Sequence, residues 1–249
     1  MIITQTLRRA FLLSAMVLTL TACETRSISD SGYRADNGRA SNPFYRGELS
    51  AHDILGIDPE RQISEEDIRK ALATKQRLSV RKGSAVMLVQ SGTPFPDHDM
   101  VAAMERYYTV AVFSGVPLPN ARSAAANSEA ASYAQIFRLA AAKGGYETIM
   151  VYWGMLESAT EGSGGKALSW LPIIGGSIPD QSQLMRIRLM VAVIDVASGQ
   201  WETFTPEPFV DSSSSAERRR AISDQEQVAM LKGKAYKAAA DTLVQRYSR

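Results

Sequence analysis

One thiol, two imidazoles and a glycine-rich stretch ending in lysine are the groups in this chain whose types suggest chemistry. The thiol belongs to Cys23, the sole cysteine among 249 residues. The imidazoles are His52 and His98, and His98 stands between Asp97 and Asp99. Two carboxylates and an imidazole are a plausible donor set for a cation. Adjacent residues on an extended or helical backbone, however, do not converge on one ion, and no His-x3-His pair or cysteine cluster completes the set. Asp97-His98-Asp99 therefore reads as a solvated helix cap. A Ser-His-Asp triad built on His98 has no Gly-x-Ser-x-Gly elbow behind it. Gly162-Ser163-Gly164-Gly165-Lys166 lacks the four-residue spacer of a phosphate loop, and Ala167 stands where Ser or Thr should follow the lysine. It reads as a flexible loop. Glu147 and Glu157 flank an apolar run and read as ordinary solvent-facing acids. No catalytic residue, metal ligand set or cofactor site follows from these groups, and the balance leans away from an enzyme.

Cys23 is different because of what precedes it. Arg8 and Arg9 form a basic start, Phe11 to Leu20 form an apolar run of ten residues, and small residues lead to the cysteine. Ten residues are too few to cross a hydrocarbon core of about 30 Å as a helix. The layout is that of a secretory signal peptide over residues 1–22. Leu20-Thr21-Ala22-Cys23 also resembles the bacterial lipobox. That resemblance implies lipidation of the Cys23 thiol, cleavage before it and acylation of the new amino group. The membrane is then a partner through lipid on Cys23. Glu24 rather than Asp follows the cysteine. By the same resemblance this favours the outer membrane, with the protein on its periplasmic face.

Composition narrows the remainder. The formal charge of +2 comes from Arg8 and Arg9, so the chain from Cys23 onward carries 26 basic and 26 acidic residues. Zero net charge removes the electrostatic case for nucleic-acid binding. With one cysteine no internal disulfide forms, so the fold rests on its core. An apolar content of 45% is enough to build one.

Residues 23–50 are polar and aperiodic, which predicts a lipidated, disordered tether. Tyr33, Phe44 and Tyr45 are local docking points along it. A single α/β domain is expected over residues 51–249. Ser64 to Asp67 reads as a helix start, with Ile68 and Leu72 facing the core and an end near Leu78. Residues 84–91 form an apolar run between Gly83 and Gly92, and so a buried strand. Asp97 or Asp99 caps a short helix carrying Met100 and Met104. Tyr107 to Phe113 is a second strand. Tyr133, Ile136, Phe137 and Ala140 share a helix face that stops at Gly144-Gly145. Tyr146 to Glu157 is a third strand, apolar on both faces. Gln183 to Val196 and Gln200 to Thr205 pair as a hairpin around Ser198-Gly199. Ser212 to Ser215 is a polar break. A closing helix carries Val228, Leu231, Ala235, Ala239 and Leu243 on one stripe.

The core order is thus β-α-β-α-β-β-β-α: an α/β fold with a mixed sheet of about five strands flanked by helices. The first three strands are joined by right-handed crossovers and the last two are antiparallel. This order resembles the small α/β domains of the curli secretion lipoprotein CsgG, the penicillin-binding-protein activator LpoB and the N-terminal part of TolB. The strands at 85–89, 146–151 and 189–199 and the Ala- and Leu-rich closing helix carry the resemblance, over residues 80–247. It implies the fold and no activity.

One feature strains against a plain core. Leu168, Trp170, Leu171, Ile173 and Ile174 form an apolar knot inside a Gly- and Ser-flanked stretch containing Pro172. Either it folds back on its own sheet, or it is a contact surface for an envelope protein or a second copy. The function expected is a lipid-anchored, noncatalytic binding or assembly module of the envelope. The alternatives are a lipid-anchored periplasmic hydrolase and a CsgG-like oligomeric secretion subunit.

Overall fold

The computed structural model describes residues 24–32, 42–59, 61–74, 77–117, 132–160, 182–214 and 220–248. The strands are β1 (Glu24–Ser27), β2 (Ala85–Ser91), β3 (Thr109–Gly115), β4 (Thr148–Thr160), β5 (Ser182–Asp195), β6 (Trp201–Phe204) and β7 (Phe209–Ser214). The helices are α1 (Ala51–Leu55), α2 (Glu65–Thr74), α3 (His98–Glu105), α4 (Tyr133–Gly144) and α5 (Arg220–Tyr247). All seven strands join one mixed sheet whose main path is β3-β2-β4-β5-β6. As the crossovers demand, β2 runs parallel to both β3 and β4. The β4–β5 and β5–β6 pairs are antiparallel.

Alternation along the strands divides the core in two. Val86 and Leu88 of β2, Met150 and Tyr152 of β4, and Val191 and Val193 of β5 face α3 and α5. Met87, Val89, Ile149, Val151, Ala192 and Ile194 face α1 and α4 on the other side. Both faces of the central strands are thus covered, which is why their sequences read as continuous apolar runs. The helix ends follow their capping residues. Ser50 with Asp53 and Ser132 with Gln135 form reciprocal capping boxes for α1 and α4. Ser64 and Asp67 exchange the same bonds at the start of α2. Gly145, at φ 77°, closes α4 in the left-handed conformation that glycine adopts freely.

The long β4 and β5 strands carry two tiers. Their lower halves pair β2 and β6, and their upper halves pair β1 and β7. β1 continues the lane that β2 leaves at Ser91, with Glu24 opposite Ser158 and Ser27 opposite Met155. Gly154 sits where the tiers meet. A Cβ there would lie 2.3 Å from the carbonyl oxygen of Arg188, so only glycine lets the ribbon pass.

Three expectations are corrected. Residues 24–32 and 42–50 do not behave as a tether. Glu24–Ser27 is a sheet strand, and Ile28, Ser29, Ser31, Asn42 and Leu49 are buried. The composition is polar because these residues are held by hydrogen bonds, which do not show as hydrophobic periodicity. Residues 212–214 are not a break but the end of β7, paired to β5 through the backbone. Ile68 and Leu72 do not face the core: both are exposed on α2, which buries none of its residues.

Gly154→Ala should destabilise the fold by about 1–3 kcal/mol, the range of an overpacked site that must shift backbone. Urea unfolding measures it. An unchanged midpoint would show that the β4–β5 ribbon has room to give.

Candidate functional site

The parallel strands β2 and β3 send their connections to opposite faces of the sheet, α3 to one and α4 to the other. The carboxyl ends of such strands are where open α/β sheets place ligands. Here that position is occupied by the chain's own N-terminal residues. The backbone N–H of Arg46 donates to the Gly92 carbonyl (3.1 Å), and that of Leu49 donates to the Ser91 hydroxyl (2.9 Å). The Ser29 hydroxyl donates to the Ser91 carbonyl at 2.6 Å and accepts from the Gln90 amide at 3.0 Å. The Asn42 side chain donates to the Ser29 carbonyl. Gly92 has φ +91°, and a Cβ there would meet the Tyr45 ring at 2.8 Å, so Tyr45 lies directly on the turn.

Behind this seam lies a charged knot. The Lys232 ammonium on α5 donates to Asp97 Oδ2 at 2.9 Å and to the Ser31 carbonyl at 2.8 Å. The Tyr236 hydroxyl, one turn along, donates to the same carboxylate oxygen at 2.5 Å. The Asp97 N–H donates to Gln90 Oε1 (2.6 Å), which also accepts from the Tyr152 hydroxyl (2.6 Å). Tyr152 and Tyr236 meet edge to face, 5.5 Å apart. Lys232 and Asp97 side chains are 8% and 14% exposed. A desolvated ammonium whose protons go to a carboxylate and a carbonyl is a rivet between chain segments. It offers no lone pair to a substrate.

Asp97 is therefore not a solvated cap: it starts α3 without a side-chain cap bond and turns inward to Lys232. His98 and Asp99 beside it point to solvent, as do His52 and Glu147. Glu157 is not free either, since it bridges Arg186 and Arg188 at 2.6 Å each. Cys23, the 162–166 loop and the knot of Leu168, Trp170, Leu171, Ile173 and Ile174 lie outside the described residues. Among those described, no three His, Cys, Asp or Glu side chains gather as a metal set, and no helix is long and apolar enough to cross a membrane.

Lys232, Tyr236, Gln90 and Ser29 belong to no local motif, because their roles need long-range contacts. Two signals pointed to them. Gln90-Ser91 ends an otherwise apolar buried strand, and Lys232 sits inside the Val228–Leu231–Ala235 stripe of α5. A cleft of about 320 Å³ between Arg77, Glu202 and Tyr247 is separate from the seam. Burial first, and then Glu202, push the pKa of the Tyr247 hydroxyl up to about 12.

The YafT bacterial lipoprotein family matches residues 50–246. No curated protein matches the chain. Among solved structures, the chain is similar to the PelC dodecamer from Paraburkholderia phytofirmans. Identity there is 13%, over 70% of this chain and 96% of that one, with a TM-score of 0.30. It is also similar to the lipoprotein GNA1162 from Neisseria meningitidis, at 12% identity over 64% and 99% with a TM-score of 0.25. A third is the hypothetical protein CT253 from Chlamydia trachomatis, at 13% over 66% and 95% with a TM-score of 0.30.

Removing one member of a buried ion pair strands the other. Lys232→Ala should cost about 3 kcal/mol in chemical unfolding, and Lys232→Met with Asp97→Leu less than the sum of the two single changes. Strict additivity would show that the two groups do not depend on each other. A second prediction concerns Glu48, which accepts from the Ser27 hydroxyl of β1. Burial raises its pKa above the usual carboxylate range, and the Ser27 bond opposes this only in part. The folded state then holds the proton more tightly than the unfolded chain, so stability falls as pH rises from the unfolded towards the folded pKa. Glu48→Gln should raise the Tm by about 2 °C at pH 7 and by nothing near pH 4. A lower Tm at pH 7 would reverse the sign.

Proposed function

Because the chain belongs to the YafT bacterial lipoprotein family, we propose that Cys23 is its acylated residue and that the folded part is a noncatalytic binding or assembly module. The lipid anchors it to an envelope membrane. By the Glu24 that follows Cys23, that membrane is the outer one and the domain is on its periplasmic face. The observation that carries the noncatalytic part is the filled crevice. Residues 42–49 and Ser29 close the carboxyl ends of β2 and β3, and the one buried ammonium there, that of Lys232, is committed to Asp97 and the Ser31 carbonyl. A hydrolase needs a nucleophile beside an open pocket, and a secretion pore needs alternating strands of about 9–11 residues facing lipid. Neither is favoured over a surface that recruits or assembles other envelope components.

Cys23→Ser should leave the protein uncleaved or free of the membrane, without radiolabelled palmitate. Each buried CH₂ is worth about 0.8 kcal/mol, and two or more chains hold where one is marginal. Identical fractionation of both forms, with no palmitate in either, would sink the anchor.

A further inference from the structure

β3 forms one edge of the sheet: β2 pairs with it on one side, and no described residue pairs with it on the other. The bonds at its two ends give the direction of every backbone group between them. The Thr109 N–H donates to the Ser84 carbonyl at 3.0 Å, and the Gly115 carbonyl accepts from the Gly92 N–H at 2.9 Å. In a parallel ladder a residue sends its N–H and its carbonyl to the same neighbour, and successive residues alternate. Residues 109, 111, 113 and 115 therefore bond towards β2, while Val110, Val112 and Ser114 turn their backbone N–H and carbonyl groups outward. Proteins ordinarily protect such an edge with charge, proline or a bulge. The other strands with an open side do carry charge: Glu24 and Arg26 in β1, Glu202 in β6 and Asp211 in β7. Thr109–Gly115 has neither charge nor proline, and its register against Ala85–Ser91 runs without a bulge. The edge is also apolar on both faces. Val112 is 48% exposed on the α3 side, and Phe113, edge to face with Phe137 of α4, is half-buried on the other.

We infer that the β3 edge binds the β3 edge of a second copy of this chain, antiparallel about a two-fold axis at Val112, so that two sheets become one. The strand is its own complement. In an antiparallel pair, residues whose backbone groups face each other exchange both N–H···O bonds. An axis at Val112 sets Val112 opposite its own copy and Val110 opposite Ser114 of the copy, so every outward residue meets an outward residue. Moving the axis by one residue brings in Tyr108 or Val116 instead. Their N–H groups are already committed, to the Met104 carbonyl and the Ser114 hydroxyl. Charge selects the same partner. A strand without ionised groups cannot answer a charged one, and a second β3 brings no charge to the seam. The chain from Cys23 onward has 26 basic and 26 acidic residues, so two copies do not repel through net charge. The pairing is independent of the anchor on Cys23. It goes beyond a general assembly role by naming the edge, the partner and the register.

The test uses the full chain, produced in a bacterial envelope and purified in detergent, with single cysteines introduced on the strands. The unsubstituted chain, with Cys23 alone, sets the baseline. Opposed residues that exchange both bonds lie about 5.5 Å apart at Cα, inside the roughly 4.4–6.8 Å span of a disulfide. On mild oxidation Val112→Cys should give at least about fivefold more disulfide-linked homodimer than Val210→Cys, which is equally exposed at 48% but lies on β7. Val110→Cys and Ser114→Cys should link to each other when the two proteins are mixed. Neither should link to itself, since each then stands about 13 Å along the strands from its own copy. Val112→Lys sets two ammonium groups against each other on the axis. It should sediment as a monomer with an unchanged urea midpoint, and mixing it with Val112→Glu should restore the dimer. A Val112→Cys yield no higher than that of Val210→Cys, or its linkage to a different envelope protein, overturns the pairing. Val110→Cys linking to itself as readily as to Ser114→Cys overturns the register.

Discussion

A single ammonium ties this fold together. Lys232 projects from α5 into the end of the β2 strand, where its protons reach the Asp97 carboxylate and the Ser31 carbonyl. It thereby joins the closing helix, the loop that opens α3 and the segment that follows β1. Taking a lysine out of water costs several kcal/mol, and the structure offsets this with a charge partner, a carbonyl and the Tyr236 hydroxyl on the same carboxylate. Gln90 extends the set to Tyr152 and Ser29. Because each polar group here is partnered by a different stretch of chain, losing any one of them would loosen several at once. The N-terminal residues become part of the domain through this knot as much as through the β1–β4 ladder.

That constraint shapes what the site can do. In an open α/β sheet the crevice at the carboxyl ends of the parallel strands is the natural place for a ligand. Here residues 42–49 and Ser29 fill it, held by hydrogen bonds to Gln90, Ser91 and Gly92. The lipoprotein family to which the chain belongs matches residues 50–246, the part whose sheet this N-terminal segment closes. The exposed apolar side chains of α2, Ile68 and Leu72, lie on a helix that packs none of its residues into the core.

Most of the sheet was legible in the sequence because it is apolar. The apolar runs at 84–91 and Tyr146 to Glu157 announce the buried strands Ala85–Ser91 and Thr148–Thr160, and Gly145 and Gly199 mark the turns at which φ is positive. What was not legible is polar and long-range. β1 is Glu-Thr-Arg-Ser, a composition common in linkers, and it is a strand only because Leu156 and its neighbours offer an open edge. β7 ends in serines for a similar reason: its pairing with β5 is through backbone and asks little of side chains. Asp97 was visible as a helix start. Its inward turn was not, since Lys232 is more than a hundred residues away.

The claim that the segment after Cys23 is folded and not a tether is tested most directly by native-state amide exchange on the mature protein. Peptides covering 24–32 and 42–49 should exchange slowly and lose protection together with β4, in one cooperative unit. Exchange of 24–32 at the rate of an unstructured chain, while β4 and β5 stay protected, would contradict it and return these residues to a tether.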